Sequence, residues 1–234
     1  MTFIHAFEFI GDNVGLLWHK SLEHMALSAV ALAIALAVAL PIGLWLGHRH
    51  RGSFVAVNVA NIGRALPSLA VLAVGIAILG VSKANVAFAL VVLAIPPILT
   101  NAYVAVDTVD GDAVEAARGM GMKPHELFAK VELPLAIPLT FAGIRTAAVY
   151  VVATATLAGF FGGGGLGDVI SNQASYGLDG VVGAAIVVTV LALSTDWALA
   201  GVQWLVTPRG LRKDTELVGA AAEYEATRTA PEAA

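Results

Sequence analysis

Residues 112–138 read DAVEAARGMGMKPHELFAKVELPLAIP, and this stretch decides how the rest of the chain is read. It is the longest polar interruption between strongly apolar segments. Within it Glu115-Ala116-Ala117 is followed after three residues by Gly121, and after nine more by Val131-Glu132-Leu133-Pro134. Asp112 suits the N-cap of a helix running to Met120, with Glu115 near its positive end. Gly119 and Gly121 suit its termination, because glycine takes the left-handed conformation readily. Pro124 suits the first turn of a second short helix over 125–131, and Pro134 and Pro138 punctuate the chain ahead of the next apolar run. The expectation is a rigid helix–turn–helix knob with small Ala116 and Ala117 on a closely approachable surface. The knob has no carboxylate pair with a base, no nucleophile and no metal cluster, so it reads as a docking element.

The flanks of this knob are apolar. The 234-residue chain is 58% hydrophobic and only 13% charged, with a mean hydropathy of +0.82, whereas soluble domains carry about 25% charged residues. The apolar residues come in long runs, which points to a polytopic membrane protein. A net charge of −4 gives no bulk attraction for nucleic acid. The lack of cysteine excludes disulfides, thiolate metal sites and thiol nucleophiles. The N-terminus shows no basic stretch before an apolar run, so no cleavable signal peptide is expected. Phe3, Phe7, Ile10, Val14 and Leu17 recur at helical spacing, suggesting that residues 1–24 form a helix lying in the outer interface or packed on the bundle.

Five spans are expected, at 25–46, 54–79, 86–106, 139–160 and 181–206, making residues 25–206 an all-α transmembrane helical bundle. Pro41 and Gly43 fall near the end of the first, Pro67 in the middle of the second, and Pro96-Pro97 are expected to break the third. Residues 107–138 are the polar loop, 161–180 a Gly-rich outer loop, and 207–234 a tail expected to be disordered. Basic residues set the orientation. One set of alternate loops holds Lys20 and Lys83; the other holds nine, Arg49, Arg51, Arg118, Lys123, Lys130, Arg209, Arg212, Lys213 and Arg228. The N-terminus is therefore expected outside, with the loop and C-terminus in the cytoplasm.

Several features invite a sharper reading. Residues 162–167, GGGGLG, satisfy G-x-G-x-x-G but follow a membrane span where a nucleotide fold needs a strand. A flexible outer hairpin or re-entrant turn is expected there, with Gly164 and Gly165 as candidate gate residues. No Walker A sequence occurs, so ATP must be bound by another chain. Arg64 and Arg145 are placed near cytoplasmic span ends, where snorkelling suffices. Asp196 lies deeper and is a candidate pathway or inter-helix pairing residue. Thr154 and Thr156 are candidates for the same pathway, with helix–helix hydrogen bonding as the plainer role. His48 and His50 flank Arg49 as a topology-setting basic cap, and the four tryptophans suit interfacial belts.

The spacing Glu-Ala-Ala, three residues, Gly, nine residues, Val-x-Leu-Pro resembles the cytoplasmic EAA loop of ABC importer permeases, with Val131 where isoleucine is more usual. The run from Glu115 to Ile170 is similar to osmoprotectant permeases that take up glycine betaine, choline and carnitine. Methionine-importer permeases share the loop and a Gly-rich segment, and are the next nearest group. The resemblance implies a type I ABC importer permease fold and a non-catalytic transport subunit without a cofactor of its own. It implies ATPase subunits that bind ATP and magnesium, a second permease copy or paralogue, and an extracytoplasmic substrate-binding protein. It carries the ATPase-coupling role onto Glu115, Ala116, Ala117, Gly119, Gly121, Leu133 and Pro134. The competing readings are an amino-acid permease, a stand-alone secondary transporter, for which no internal repeat is seen, and a membrane-anchored enzyme, for which no acid–base set is seen.

Overall fold

The computed structural model describes residues 2–211. The charged tail that follows, including Arg212, Lys213 and Arg228, and the side chains of Thr2, Phe3 and Arg64 lie outside the described residues, and so do the expectations that fall on them. The described chain is helical throughout. Helix α1 (Thr2–Asp12) leads into α2 (Val14–His48), then α3 (Ser53–Ala65), α4 (Ser68–Leu79) and α5 (Lys83–Asp107). The polar loop holds α6 (Gly111–Gly119) and α7 (Pro124–Leu127), and a π-helical turn (Phe128–Glu132) joins α7 to α8 (Leu133–Thr154). A 3₁₀ stretch (Ala155–Phe161), α9 (Leu166–Ser171) and α10 (Gln173–Val206) complete it. Among the described residues four helical stretches are long and apolar enough to cross a membrane, or five if the bent pair α3–α4 counts as one span.

The centre of the bundle is α5. Its residues Ala89, Leu90, Ala94 and Ile98 are buried against α2 and α8. Small side chains make this possible: α2 buries Ala31, Ala35, Ala39, Gly43 and Gly47 at a spacing of four. A Cβ on Gly43 would stand 2.7 Å from the Leu99 carbonyl oxygen and 2.8 Å from the Ala102 side chain, so only glycine allows this approach. Close helix contact through small residues is how apolar helices associate when lipid offers no hydrophobic contrast. An adjoining stripe of α2, Val30, Ile34, Val38 and Ile42, is exposed and apolar, which suits a helix side turned outward from the bundle.

The prolines behave differently from one another. The second span, expected over 54–79 with Pro67 in its middle, is bent by 93° between α3 and α4. Pro67 lacks an N–H, and it pushes Leu66 into an extended conformation (φ −72°, ψ 114°). The expected break at Pro96-Pro97 does not occur: α5 continues through both. The pair is seated between neighbours, with Gly63 of α3 against Pro96 and Gly143 of α8 against the Pro97 carbonyl. Pro41 and Pro138 likewise sit inside continuous helix, so Pro138 does not punctuate the chain, whereas Pro134 stands in the first turn of α8, just after the π turn. Helix α2 also starts eleven residues before the expected span, at Val14.

Nor is the Gly-rich segment a loose hairpin. Gly162, Gly164 and Gly165 take left-handed conformations and turn the chain into α9. Leu166 and Val169 of that helix are fully buried against Leu17, Ala184 and Val188. Helix α1 packs on α10, with Ala6 buried and Phe9 edge-to-face on Tyr176 at 6.4 Å.

Candidate functional site

Helix α6 stands clear of the spans. Asp110, not Asp112, is its N-cap: the Asp110 carboxylate accepts from the Asp112 N–H at 2.9 Å. The sequence offers acids at both positions, and the cap falls two residues earlier because helical geometry already begins at Gly111. At the other end Gly121 takes φ +83°, its N–H donates to Arg118, and the Met122 N–H donates to Ala117. Gly119 ends the helix without being left-handed. Val114 and Ala117 turn inward onto Leu127, Met122 and Val131.

The matched positions therefore divide. Glu115, Ala116, Gly119 and Gly121 are exposed together, beside Met120, which is 71% exposed. Ala117, expected on the approachable surface, is buried at 2% and holds the knob to its own base. It lies two residues after Glu115, on the opposite side of a 3.6-residue turn. Leu133 and Pro134 open α8 and lie outside the knob. The second short helix, expected over 125–131, ends at Leu127, where the π turn begins.

The root of the knob is polar and buried. Glu132, 1% exposed, accepts from His48 Nδ1 at 2.5 Å, and the His48 ring stands edge-on to Phe128 at 5.1 Å. His50 donates to Asp107 at 3.0 Å, and the Tyr103 hydroxyl donates to the other oxygen of the same carboxylate. The two histidines are thus structural ties from the end of α2 to α5 and to the π turn, and do more than set topology by charge. A buried glutamate one residue before the Leu-Pro pair was the one available sequence signal.

A second polar constellation lies in the membrane. Arg145 of α8 makes a two-point pair with Asp196 of α10, Nε to Oδ1 and Nη2 to Oδ2, both 2.8 Å. Its remaining nitrogen donates to Gln203 at 3.2 Å, and Gln203 in turn donates to the Pro138 carbonyl. Snorkelling of Arg145 is therefore corrected. The helix beneath it reaches down to Leu133 and the π turn, which sets Arg145 about 18 Å above Leu133 at about 1.5 Å per residue. At that depth a partner on the next helix is the affordable arrangement. The pair opens onto a groove lined by Ala142, Thr146, Val149, Tyr150 and Ala153.

The other pathway candidates are not gathered there. Thr154 closes α8, and Thr156, in the 3₁₀ stretch, donates to the Ala153 carbonyl three residues back at 2.7 Å, so the expected bond from Thr156 to another span is not made. Gly164 and Gly165 sit at the far end. There the Gly165 N–H donates to Glu23 at 3.3 Å, Lys20 bridges Glu23 and Asp168 (3.3 and 2.6 Å), and Lys83 pairs with Glu23 at 3.5 Å. These four charged side chains clasp α2, α5 and α9 together, which no local pattern announced.

The family described as binding-protein-dependent transport system inner membrane component matches residues 39–203. The chain is 40% identical over 214 residues to the choline transport system permease protein OpuBB of Bacillus subtilis (strain 168), covering 91% of this chain and 99% of that one. It is 40% identical over 205 residues to the glycine betaine/carnitine/choline transport system permease protein OpuCB of the same organism, covering 87% and 94%. With the carnitine transport permease protein OpuCB of Listeria monocytogenes it shares 39% over 209 residues, covering 89% and 96%. Among solved structures its fold is similar to a chain of the MetNI methionine ABC transporter in inward-facing form. That match has a TM-score of 0.71 and 23% identity, and covers 83% of this chain and 98% of that one.

Proposed function

The chain belongs to the family of binding-protein-dependent transport system inner membrane components, and we propose that it is the permease subunit of an importer for choline, glycine betaine or carnitine. Support for the solute class comes from relatives at 39–40% identity whose names carry those substrates. The likeness to a methionine transporter, at 23% identity, speaks to fold.

The observation that carries the mechanism is the exposed α6. A short, capped helix with Glu115, Ala116, Gly119 and Gly121 outward and Ala117 pinned inward is a rigid plug for a partner's cleft. In this reading the partner is a separate ATPase that binds ATP and magnesium, the chain itself being non-catalytic and free of cofactor. Leu133 and Pro134 start the helix that the knob pulls on, and the His48–Glu132 tie passes that pull to α2. Two permeases, identical or paralogous, enclose the path, with Asp196 on it. Nucleotide-driven closure of the ATPases shifts the population between inward- and outward-open states. The knob, bearing Arg118, Lys123 and Lys130, faces the cytoplasm, and the Lys20–Glu23–Asp168 clasp, with Gly164 and Gly165, forms the outer end. There a substrate-binding protein delivers its cargo.

The test is uptake of radiolabelled solute into proteoliposomes holding the permease, its ATPase and the binding protein. Accumulation that requires ATP and all components supports the reading. Accumulation at full rate with the ATPase omitted contradicts it.

A further inference from the structure

We propose that the groove beside the Arg145–Asp196 pair is a solute site of the permease itself, shaped for a zwitterion with a quaternary ammonium and a carboxylate. The proposal rests on the osmoprotectant reading and adds a binding site to it. The first observation is exposure. The side chains of Arg145 and Asp196 are 31% and 28% exposed although they lie deep in two spanning helices. Charges turned toward hydrocarbon are costly, and those found within spans face a bundle interior or a water-filled cavity. This face of α8 and α10 is therefore turned to the path.

The second observation is composition. Ala142, Arg145, Thr146, Val149, Tyr150 and Ala153 recur at three- and four-residue spacing, and form one stripe of α8. Asp196 borders the groove from α10, and the groove, open along one side, holds about 590 Å³, ample for a solute of under a dozen heavy atoms. Tyr150 is 39% exposed and also borders the neighbouring cavity between α3 and α5. The three side chains divide the recognition between them. Arg145 has guanidinium N–H groups beyond the three already bonded and can take a carboxylate two-point. Asp196 and the Tyr150 ring supply the two elements that hold a quaternary ammonium, a negative charge and a π face. The Arg145–Asp196 pair thus keeps both charges neutralised in the empty state and opens to a ligand that carries the same two charges.

The absence of cysteine makes a direct test clean. In the assembled transporter, Thr146→Cys is treated with a trimethylammonium methanethiosulfonate, a charged reagent that is itself a quaternary ammonium. Val38→Cys, on the apolar stripe of α2, is the lipid-facing control. Thr146→Cys is expected to react at least about tenfold faster than Val38→Cys, a difference set by water access. Glycine betaine is expected to slow the reaction more than choline, which lacks the carboxylate. Equal rates at the two positions overturn the site, and so does protection that is absent or equal for the two solutes. The isosteric double variant Arg145→Gln/Asp196→Asn is expected to abolish the preference for glycine betaine in protection, and a preference that survives it also overturns the assignment. Failure of the wild-type transporter to accumulate any quaternary-ammonium solute refutes the osmoprotectant reading instead, which keeps the two failures apart.

Discussion

The knob around α6 and the groove beside Arg145 are both polar islands in an apolar chain, yet they are built in opposite ways. The knob is local. Its cap, helix, left-handed glycine and second turn lie within 110–127, and nearly every contact that shapes it spans fewer than twenty residues. The groove is assembled from residues 51 and 58 positions apart, Asp196 and Gln203 meeting Arg145 across two helices. A local device can be optimised for a partner without disturbing the bundle, whereas a long-range one is part of what holds the bundle together. Substitutions in the knob should therefore affect coupling before stability, and substitutions in the groove should affect both.

The largest expected effect tests the groove. Asp196→Leu leaves the Arg145 guanidinium without its counter-ion at mid-depth and should cost about 3 kcal/mol, seen as a lowered thermal midpoint in detergent. The double variant Arg145→Met/Asp196→Leu should recover most of that loss, because replacing both members removes the unpaired charge. A single variant as stable as wild type would break the contrast at its stronger end.

Next comes the division within the Glu-Ala-Ala triplet. Ala117→Leu overpacks the base of the knob at a cost of about 1–3 kcal/mol, read as faster hydrogen exchange over residues 111–127. Ala116→Leu, on the exposed side, should leave exchange unchanged while reducing co-purification of the ATPase. Equal exchange in the two variants would contradict the assignment of Ala117 to the interior. Gly121→Val forces a β-branched residue to φ +83° and should cost about 1–2 kcal/mol locally. That strain should uncouple ATP hydrolysis from uptake, with the thermal midpoint of the spans unmoved. The smallest effect is Asp110→Ala, which removes the α6 cap for about 1 kcal/mol and should accelerate exchange at the Asp112 amide in particular. Asp112→Ala should do less, since its own carboxylate does not cap the helix.

This same difference between local and distant explains how far the sequence could be read. Hydropathy placed the spans, and the Glu-Ala-Ala spacing located the knob, because both are set by residues close in the chain. The cap slipped from Asp112 to Asp110 since two acids compete for one role within three positions. Proline was legible in part. At Pro67 the preceding residue turns extended and the span bends, but at Pro96-Pro97 neighbouring Gly63 and Gly143 seat the pair and the helix runs on. That compensation is tertiary and leaves no mark nearby. The Lys20–Glu23–Asp168–Lys83 clasp and the His48–Glu132 tie were invisible for the same reason, whereas Asp196 was legible as an inter-helix pairing residue and only its partner, Arg145, was not. Each joins residues that only the packed bundle brings together, and only Asp196, a lone acid inside an apolar run, carried a flag of its own.

That α6 engages a separate ATPase can be tested by labelling this cysteine-free chain at a single introduced thiol before assembly. Ala116→Cys, alkylated in the purified permease with maleimide-benzophenone and then assembled with the ATPase, should cross-link to the ATPase on illumination by insertion of the benzophenone into a C–H bond, at a yield that changes when ATP is added. Val38→Cys should give no adduct. An Ala116→Cys chain that yields no ATPase adduct while transport proceeds at the wild-type rate would contradict the account.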